Sequence, residues 1–256
     1  MTDRCREEFF IFLQALQFLT RIPLPSEVGY TPQRLAAAPR YYPLVGLLIG
    51  SLSALVYFFA VQRFTPMLAA LLATAASVLA TGAFHEDGFA DACDGLGGAV
   101  SRDKALEIMK DSRLGSYGAV GLGLLIATKV VALASMQLEQ AVVLLVCAHT
   151  ISRASSVAVI ATSRYVRDHG TAKPVACGVS PIGFAVALTT AAVALAACCF
   201  LLGRPAGMAA LGGLLLGHGL MRQSFEIKLG GYTGDCLGAI QQTSEIGFYL
   251  GALAWL

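Results

Sequence analysis

The chain has 256 residues, of which 56% are hydrophobic and only 13% charged, and its mean hydropathy is +0.69. Soluble domains carry about 25% charged residues, so the expected class is an all-α, polytopic helical integral membrane protein with no soluble domain. The net charge of +2 is too small to suggest a nucleic acid partner. A core is assured, but the outer face must be compatible with the lipid bilayer.

The expected organisation is a single membrane-embedded domain over residues 1–256, with about six to eight membrane-embedded helices. The N-terminus is not expected to be a secretory signal, because Asp3, Arg4, Arg6, Glu7 and Glu8 do not form a basic leader. Residues 8–19 are apolar but short and carry Gln14 and Gln17, which suggests an interfacial or re-entrant segment rather than a span. The run 20–25, with Pro23 and Pro25, breaks that helix.

Residues 43–61 carry no charge and are long enough to cross. Arg63 and Pro66 mark a turn, and residues 64–84 return. Residues 85–115 form the longest polar segment and hold seven of the sixteen acidic residues, a concentration that points to one working face. Residues 114–136 and 140–162 are expected spans, with Lys129 and Arg153 inside them. Residues 163–180 are polar, with Arg164, Arg167, Asp168, His169 and Lys173. Residues 174–203 are uncharged, with Pro181 starting the span proper; residues 206–221 are apolar and glycine-rich. Residues 222–245 read as polar again. Residues 246–256 are too short to cross unless their helix starts earlier, near Ala239.

The polar segments 21–40, 85–115, 163–180 and 222–245 alternate onto one side. They carry twelve Lys and Arg against two on the opposite turns, which places them in the cytoplasm by the positive-inside rule. The seven cysteines include no Cys-x-x-Cys pair and lie mostly in apolar runs, so they read as reduced packing residues rather than zinc ligands.

Three constellations carry chemistry. Asp87, Asp91 and Asp94 recur at i, i+4 and i+7, within a ~60° wedge of one helix face. Stacked like charges repel unless a cation neutralises them, and carboxylate oxygens favour Mg²⁺, Mn²⁺ or Ca²⁺ over zinc. The bland alternative is a solvated acidic cap on a membrane helix.

The second constellation is Lys110, Asp111, Ser112, Arg113, Leu114, Gly115, running into an apolar helix. A glycine turn before a helix N-terminus lets backbone N–H groups approach a phosphate, Lys110 and Arg113 add cations, and Asp111 could complete a metal site. It could equally be a close helix-packing entry.

The third is Lys228, Leu229, Gly230, Gly231, Tyr232, Thr233, Gly234, Asp235, which is either a second substrate loop or a tight turn whose Asp caps the next helix. Arg153 is expected to snorkel, or to pair with carboxylates or a substrate phosphate inside the bundle. Lys129 is ambiguous. His85 lies about 160° from the aspartate face of a helix, which makes it a cap, an outer partner of the metal ligands or a substrate contact. His149 and His218 read as packed histidines. Together these pieces suit metal-assisted phosphoryl transfer on an amphiphilic substrate.

These residues resemble the cobalamin synthase (adenosylcobinamide-GDP ribazoletransferase) family. The resemblance rests on Phe18-Leu19-Thr20-Arg21-Ile22-Pro23, His85-x-Asp87-Gly88-x-x-Asp91-x-x-Asp94-Gly95, Met109 to Gly115 and Gly230-Gly231-x-Thr233-Gly234-Asp235, and covers nearly the whole chain. It implies Mg²⁺-dependent transfer of the adenosylcobinamide-phosphate group from adenosylcobinamide-GDP to α-ribazole or α-ribazole 5′-phosphate, with release of GMP, in the cytoplasmic (inner) membrane. It implies Asp87, Asp91, Asp94 and Asp111 as metal ligands, and Asp94, Asp111 and Arg113 as catalytic. His85, Lys110, Gly115, Arg153, Lys228, Gly231, Thr233 and Asp235 are implied as substrate-binding residues. Asp94 is the expected base, by analogy with membrane alcohol phosphotransferases.

Glu86 stands where the family pattern leads one to expect an apolar residue. CDP-alcohol phosphotransferases share Asp87-Gly88, but Asp91 and Ala92 and the later spacing depart from their motif. A cation-coupled transporter is disfavoured because the acids sit at span ends and no inverted repeat is visible. A homo-oligomer is left open.

Overall fold

The computed structural model describes residues 3–25, 28–167, 175 and 178–256. Asp168, His169, Lys173 and Cys177 therefore lie outside the described residues. Eleven α-helices and one 3₁₀ helix account for the named elements among them: α1 (Asp3–Leu19), α2 (Pro32–Ala37), the 3₁₀ helix Ala38–Tyr41, α3 (Tyr42–Ala60), α4 (Pro66–Thr81), α5 (Phe84–Gly98), α6 (Arg102–Ile108), α7 (Ser116–Ala134), α8 (Leu138–Thr162), α9 (Pro181–Leu202), α10 (Arg204–Leu229) and α11 (Gly234–Leu253).

Four stretches are long and apolar enough to cross a membrane: Pro32–Ala60, Ser116–Ala134, Leu138–Thr162 and Pro181–Leu202. The bent pair α4–α5 makes a fifth if counted as one. Their outward faces carry large apolar side chains such as Leu79, Ile182 and Phe200, as lipid requires. α1 is not among these stretches. Its Glu7 and Glu8 pair with Arg34 and Arg40, tying it to the segment before α3.

The centre is α8, whose residues are mostly buried. It can be enclosed because α3 presents glycines to it: a Cβ at Gly50 would come within 2.7 Å of the Leu145 carbonyl oxygen, and one at Gly46 would strike that of His149. Without a hydrophobic drive between helices in lipid, such small-residue seams let backbones close on one another. α10 and α11 form a hairpin of the same kind, with Gly213 of α10 set against Gly247 of α11.

Two local breaks position the site. Thr65 caps α4 by accepting the Leu68 N–H, and Pro66 occupies its first turn. At the other end Gly82 (φ +66°) and Ala83 (φ +58°) are both left-handed, and the Ala83 N–H returns to the Val78 carbonyl. A left-handed non-glycine residue is unfavourable by roughly 1–2 kcal/mol, so packing must hold Ala83 there. The two residues turn α5 by 92° away from α4. We therefore read α4 as the crossing part and α5 as a helix lying across the end of the bundle, outside the spans. Residues 64–84 accordingly do not form one straight span.

The second break is Gly230 (φ +71°) and Gly231 (φ +153°) between α10 and α11. It corrects the expectation of a polar loop over 222–245. Arg222, Glu226 and Lys228 belong to α10, only residues 230–233 connect, and Gln241, Gln242 and Glu245 are buried in α11. The last helix thus starts at Gly234, earlier than Ala239.

Candidate active site: an acid-walled cavity beside a basic cleft

α5 carries the aspartates and crosses α11 through glycine. A Cβ at Gly88 would come within 3.0 Å of the Asp235 carbonyl oxygen, and one at Gly238 within 2.9 Å of that of His85. This approach brings Asp235, 148 positions beyond Asp87 in numbering, to the aspartate face of α5. Asp87, Asp235, His85 and Arg153 together line a cavity of 150 Å³, closed on its apolar side by Phe18, Tyr42 and Phe84. His85 thus shares a cavity with Asp87 although the helix turns it away from the aspartates.

The acids repel one another. Asp91 is pushed up to about 7, first by partial burial, then by Asp235 and Asp87, with Arg167 opposing and Asp94 adding a smaller push. That cluster is a test of fit for a cation. The donors are hard carboxylate oxygens, and their mutual repulsion is what a divalent cation would relieve. Among the described residues no three His, Cys, Asp or Glu side chains stand close enough to grip an ion. Asp87 is exposed beside Asp91 and Asp235, so the residues fit Mg²⁺ by chemistry and by placement.

Asp94 differs from its neighbours. One of its oxygens accepts the Gly115 N–H and the other the Gly118 N–H, each at 2.8 Å. It therefore caps the start of α7 from another helix, which satisfies two of the N–H groups a helix leaves unpaired. A Cβ at Gly115 or Gly118 would strike this carboxylate. The glycine turn is thus built to admit Asp94.

Asp111 and Arg113 satisfy each other. The Arg113 Nε donates to Asp111 at 2.9 Å, and its backbone N–H donates to the same carboxylate at 3.1 Å. The pair holds the Asp111 carboxyl down at about 2. Neither residue lines the acid cavity, so the structure does not bring the expected fourth ligand and the expected catalytic arginine to the other acids.

Arg153 is buried at the base of the cavity. It donates to the His149 carbonyl at 2.9 Å, while its Nε finds no acceptor among the described residues. Beneath it, Glu245 receives Lys129 Nζ at 2.9 Å, Gln241 at 2.7 Å and the Tyr249 hydroxyl at 3.3 Å. Glu86, the departure from the family pattern, accepts from Gln242 at 2.9 Å. Sequence reasoning read Glu245 as a loop residue. The signal that could have found it is Lys129, an intramembrane cation that needed an acid.

The last glycine turn docks on the chain after α8. Val166 N–H donates to the Tyr232 carbonyl at 3.0 Å and Tyr232 N–H to the Arg164 carbonyl at 2.8 Å. Only glycine suits position 231, since its φ is positive and a Cβ would strike the Arg164 carbonyl oxygen. Thr233, not Asp235, caps α11, accepting the Cys236 N–H. Arg167 is thereby set 2.8 Å from Asp235, with Nη2 off the hydrogen-bonding line. Lys228 donates to the Ala99 carbonyl, and Lys110 is exposed; both line a cleft of 740 Å³ on the far side of Arg167. The Arg167–Asp235 pair went unforeseen because nothing local in the sequence links the two residues.

The architecture is that of a polytopic helical membrane protein whose acids, cations and glycine turns meet at one end of the bundle. The chain belongs to the cobalamin-5-phosphate synthase family, whose sequence model matches residues 11–253. It is 50% identical over 252 residues to a protein of Leptothrix cholodnii named adenosylcobinamide-GDP ribazoletransferase, covering 95% of each chain. Proteins of the same name from Shewanella frigidimarina, 44% identical over 95% of this chain and 94% of the relative, and Vibrio cholerae, 40% identical over 98% and 96%, are similar along their lengths. No solved structure matches.

Proposed function

We propose that this chain catalyses the reaction for which its relatives are named: transfer of the adenosylcobinamide-phosphate group from adenosylcobinamide-GDP to α-ribazole or α-ribazole 5′-phosphate. The family match over residues 11–253 carries this reading. The acid cavity at the end of the bundle supports it, because phosphoryl transfer needs charge neutralisation and positioning more than covalent chemistry.

The ribazole hydroxyl attacks the phosphorus on the corrinoid side of the pyrophosphate. A new P–O bond forms, the bridging P–O bond breaks, and GMP leaves. Asp87, Asp91 and Asp235 would hold Mg²⁺, which when bound neutralises charge on the pyrophosphate and its leaving oxygen. Arg153 presents a buried cation to the cavity. Arg167 keeps Asp235 in place. The hydroxyl proton needs an acceptor lining the cavity, and Asp87 and Asp235 meet that condition. Asp94, expected as the base, has both oxygens engaged by α7 and serves in this reading as a positioning residue.

The twelve-to-two bias of Lys and Arg between the polar segments and the opposite turns supports a site facing the cytoplasm from the inner membrane. The test is GMP and cobalamin formation by purified protein in nanodiscs, with parent, Asp87→Asn, Asp91→Asn and a metal-free control. Activity in the parent alone, and only with Mg²⁺, is expected. An inactive, folded parent would overturn the reading.

A further inference from the structure

The cleft beyond Arg167 is strongly basic. Arg102, Lys110, Arg164, Arg167 and Lys228 line it, against one acid, Asp103. Its 740 Å³ falls within the ~300–1,000 Å³ typical of small-molecule sites. Asp103 is already engaged with Arg102 at 3.4 Å. The side chains of Lys110 and Arg164 are exposed and make no hydrogen bond or ion pair with any described residue. Tyr165 supplies an aromatic ring to the wall. Unpaired cations crowded into one concavity raise its potential and favour an anion; arginine in particular matches phosphate oxygens two at a time.

The cleft abuts the acid cavity across one ion pair. Arg167 lines the cleft, Asp235 lines the cavity, and the two groups stand 2.8 Å apart. A pyrophosphate across that junction would place one phosphate among the acids and the other among the cations. We propose that the basic cleft binds the nucleoside 5′-monophosphate end of the donor substrate, holding the leaving group while the reacting phosphate faces the acids. This rests on the function proposed above and adds which end of the donor lies where. A cleft that bound the acceptor's phosphate, or an anionic lipid headgroup, would use the same cations.

The test uses the full chain in phosphatidylcholine nanodiscs. GMP binding is titrated calorimetrically, without turnover, for the parent, Lys110→Ala/Arg164→Ala and Lys110→Arg/Arg164→Lys. Both side chains are exposed, so the variants should fold. The expected result is saturable GMP binding by the parent, weakened at least ~10-fold in the alanine variant, the scale of one lost charged contact, and largely restored in the charge-keeping one. In turnover, KM for adenosylcobinamide-GDP should rise by a similar factor and KM for α-ribazole 5′-phosphate should not.

Absent GMP binding by the parent, or GMP affinity unchanged in the alanine variant, would overturn the proposal. So would a rise in KM confined to the ribazole phosphate. Retention of anionic lipid that the alanine variant loses, with GMP affinity intact, would assign the cleft to lipid instead. A parent that binds GMP with the expected variant effects yet makes no cobalamin would count against the proposed reaction, not against a nucleotide cleft.

Discussion

Two groups of acids in this bundle are treated in opposite ways. Glu245, fully buried, is surrounded by Lys129, Gln241, Tyr249 and His149. Asp87, Asp91 and Asp235 stand together at the bundle end, with Arg167 paired to Asp235 among the described residues. Burying a charge is tolerable only when its partners are built in. The first group is complete and belongs to the architecture. The second is short of positive charge among the described residues, and we read it as a place for an added cation.

The contrast breaks most easily at the second group. Asp87→Asn and Asp91→Asn should each lower turnover on the order of 10²–10³-fold, the scale of removing one stabilising group from a reacting centre. The variants should melt no lower than the parent, because each removes repulsion. A melting temperature that fell with activity would assign these acids to the architecture after all.

Glu245→Gln should do the reverse and destabilise the fold. Stranding Lys129 in the bundle costs about 3–5 kcal/mol, read as a fall in thermal stability in detergent. Lys129→Met combined with Glu245→Gln should recover part of that loss. Next comes Gly115→Ala, which pushes a methyl into the Asp94 carboxylate; overpacking of this sort costs about 1–3 kcal/mol and should loosen the start of α7. The smallest effect is expected for Asp111→Asn. It should leave melting unchanged and lower turnover far less than Asp87→Asn does; an equal loss would return Asp111 to the metal site.

The pH dependence sharpens the same point. The Asp91 carboxyl is raised in the folded protein, so its protonated form is the one folding favours. That contribution is intact below the ordinary carboxylate range near ~4 and is lost as pH rises through about 7. Metal-free protein should therefore melt at a lower temperature at about pH 8 than at about pH 5, through this group. Mg²⁺ should raise the melting temperature more at the higher pH. Equal stabilisation at both would separate Asp91 from the cation.

Much of this was legible in the sequence. Uncharged runs gave α3, α7, α8 and α9, and the i, i+4, i+7 spacing gave the aspartate face of α5. The bend at Gly82 and Ala83 was not legible, since one of its two left-handed residues is an alanine that only tertiary packing holds there. Gln241, Gln242 and Glu245 read as a loop because polarity alone does not reveal a buried partner. Asp94 looked like a third ligand because the capping N–H groups come from Gly115 and Gly118, on another helix. The basic cleft escaped notice because its cations come from α6, α10 and the turns after α6 and α8.

The most direct test of the central claim is a Mn²⁺ titration of the metal-free protein, followed by electron paramagnetic resonance. The parent and Asp111→Asn should bind the ion saturably, and Asp87→Asn and Asp91→Asn should bind it at least ~10-fold more weakly, the scale of a disturbed ligand shell. Undiminished binding in the Asp87 and Asp91 variants, or no saturable binding in the parent, would contradict the reading of these acids as a cation site.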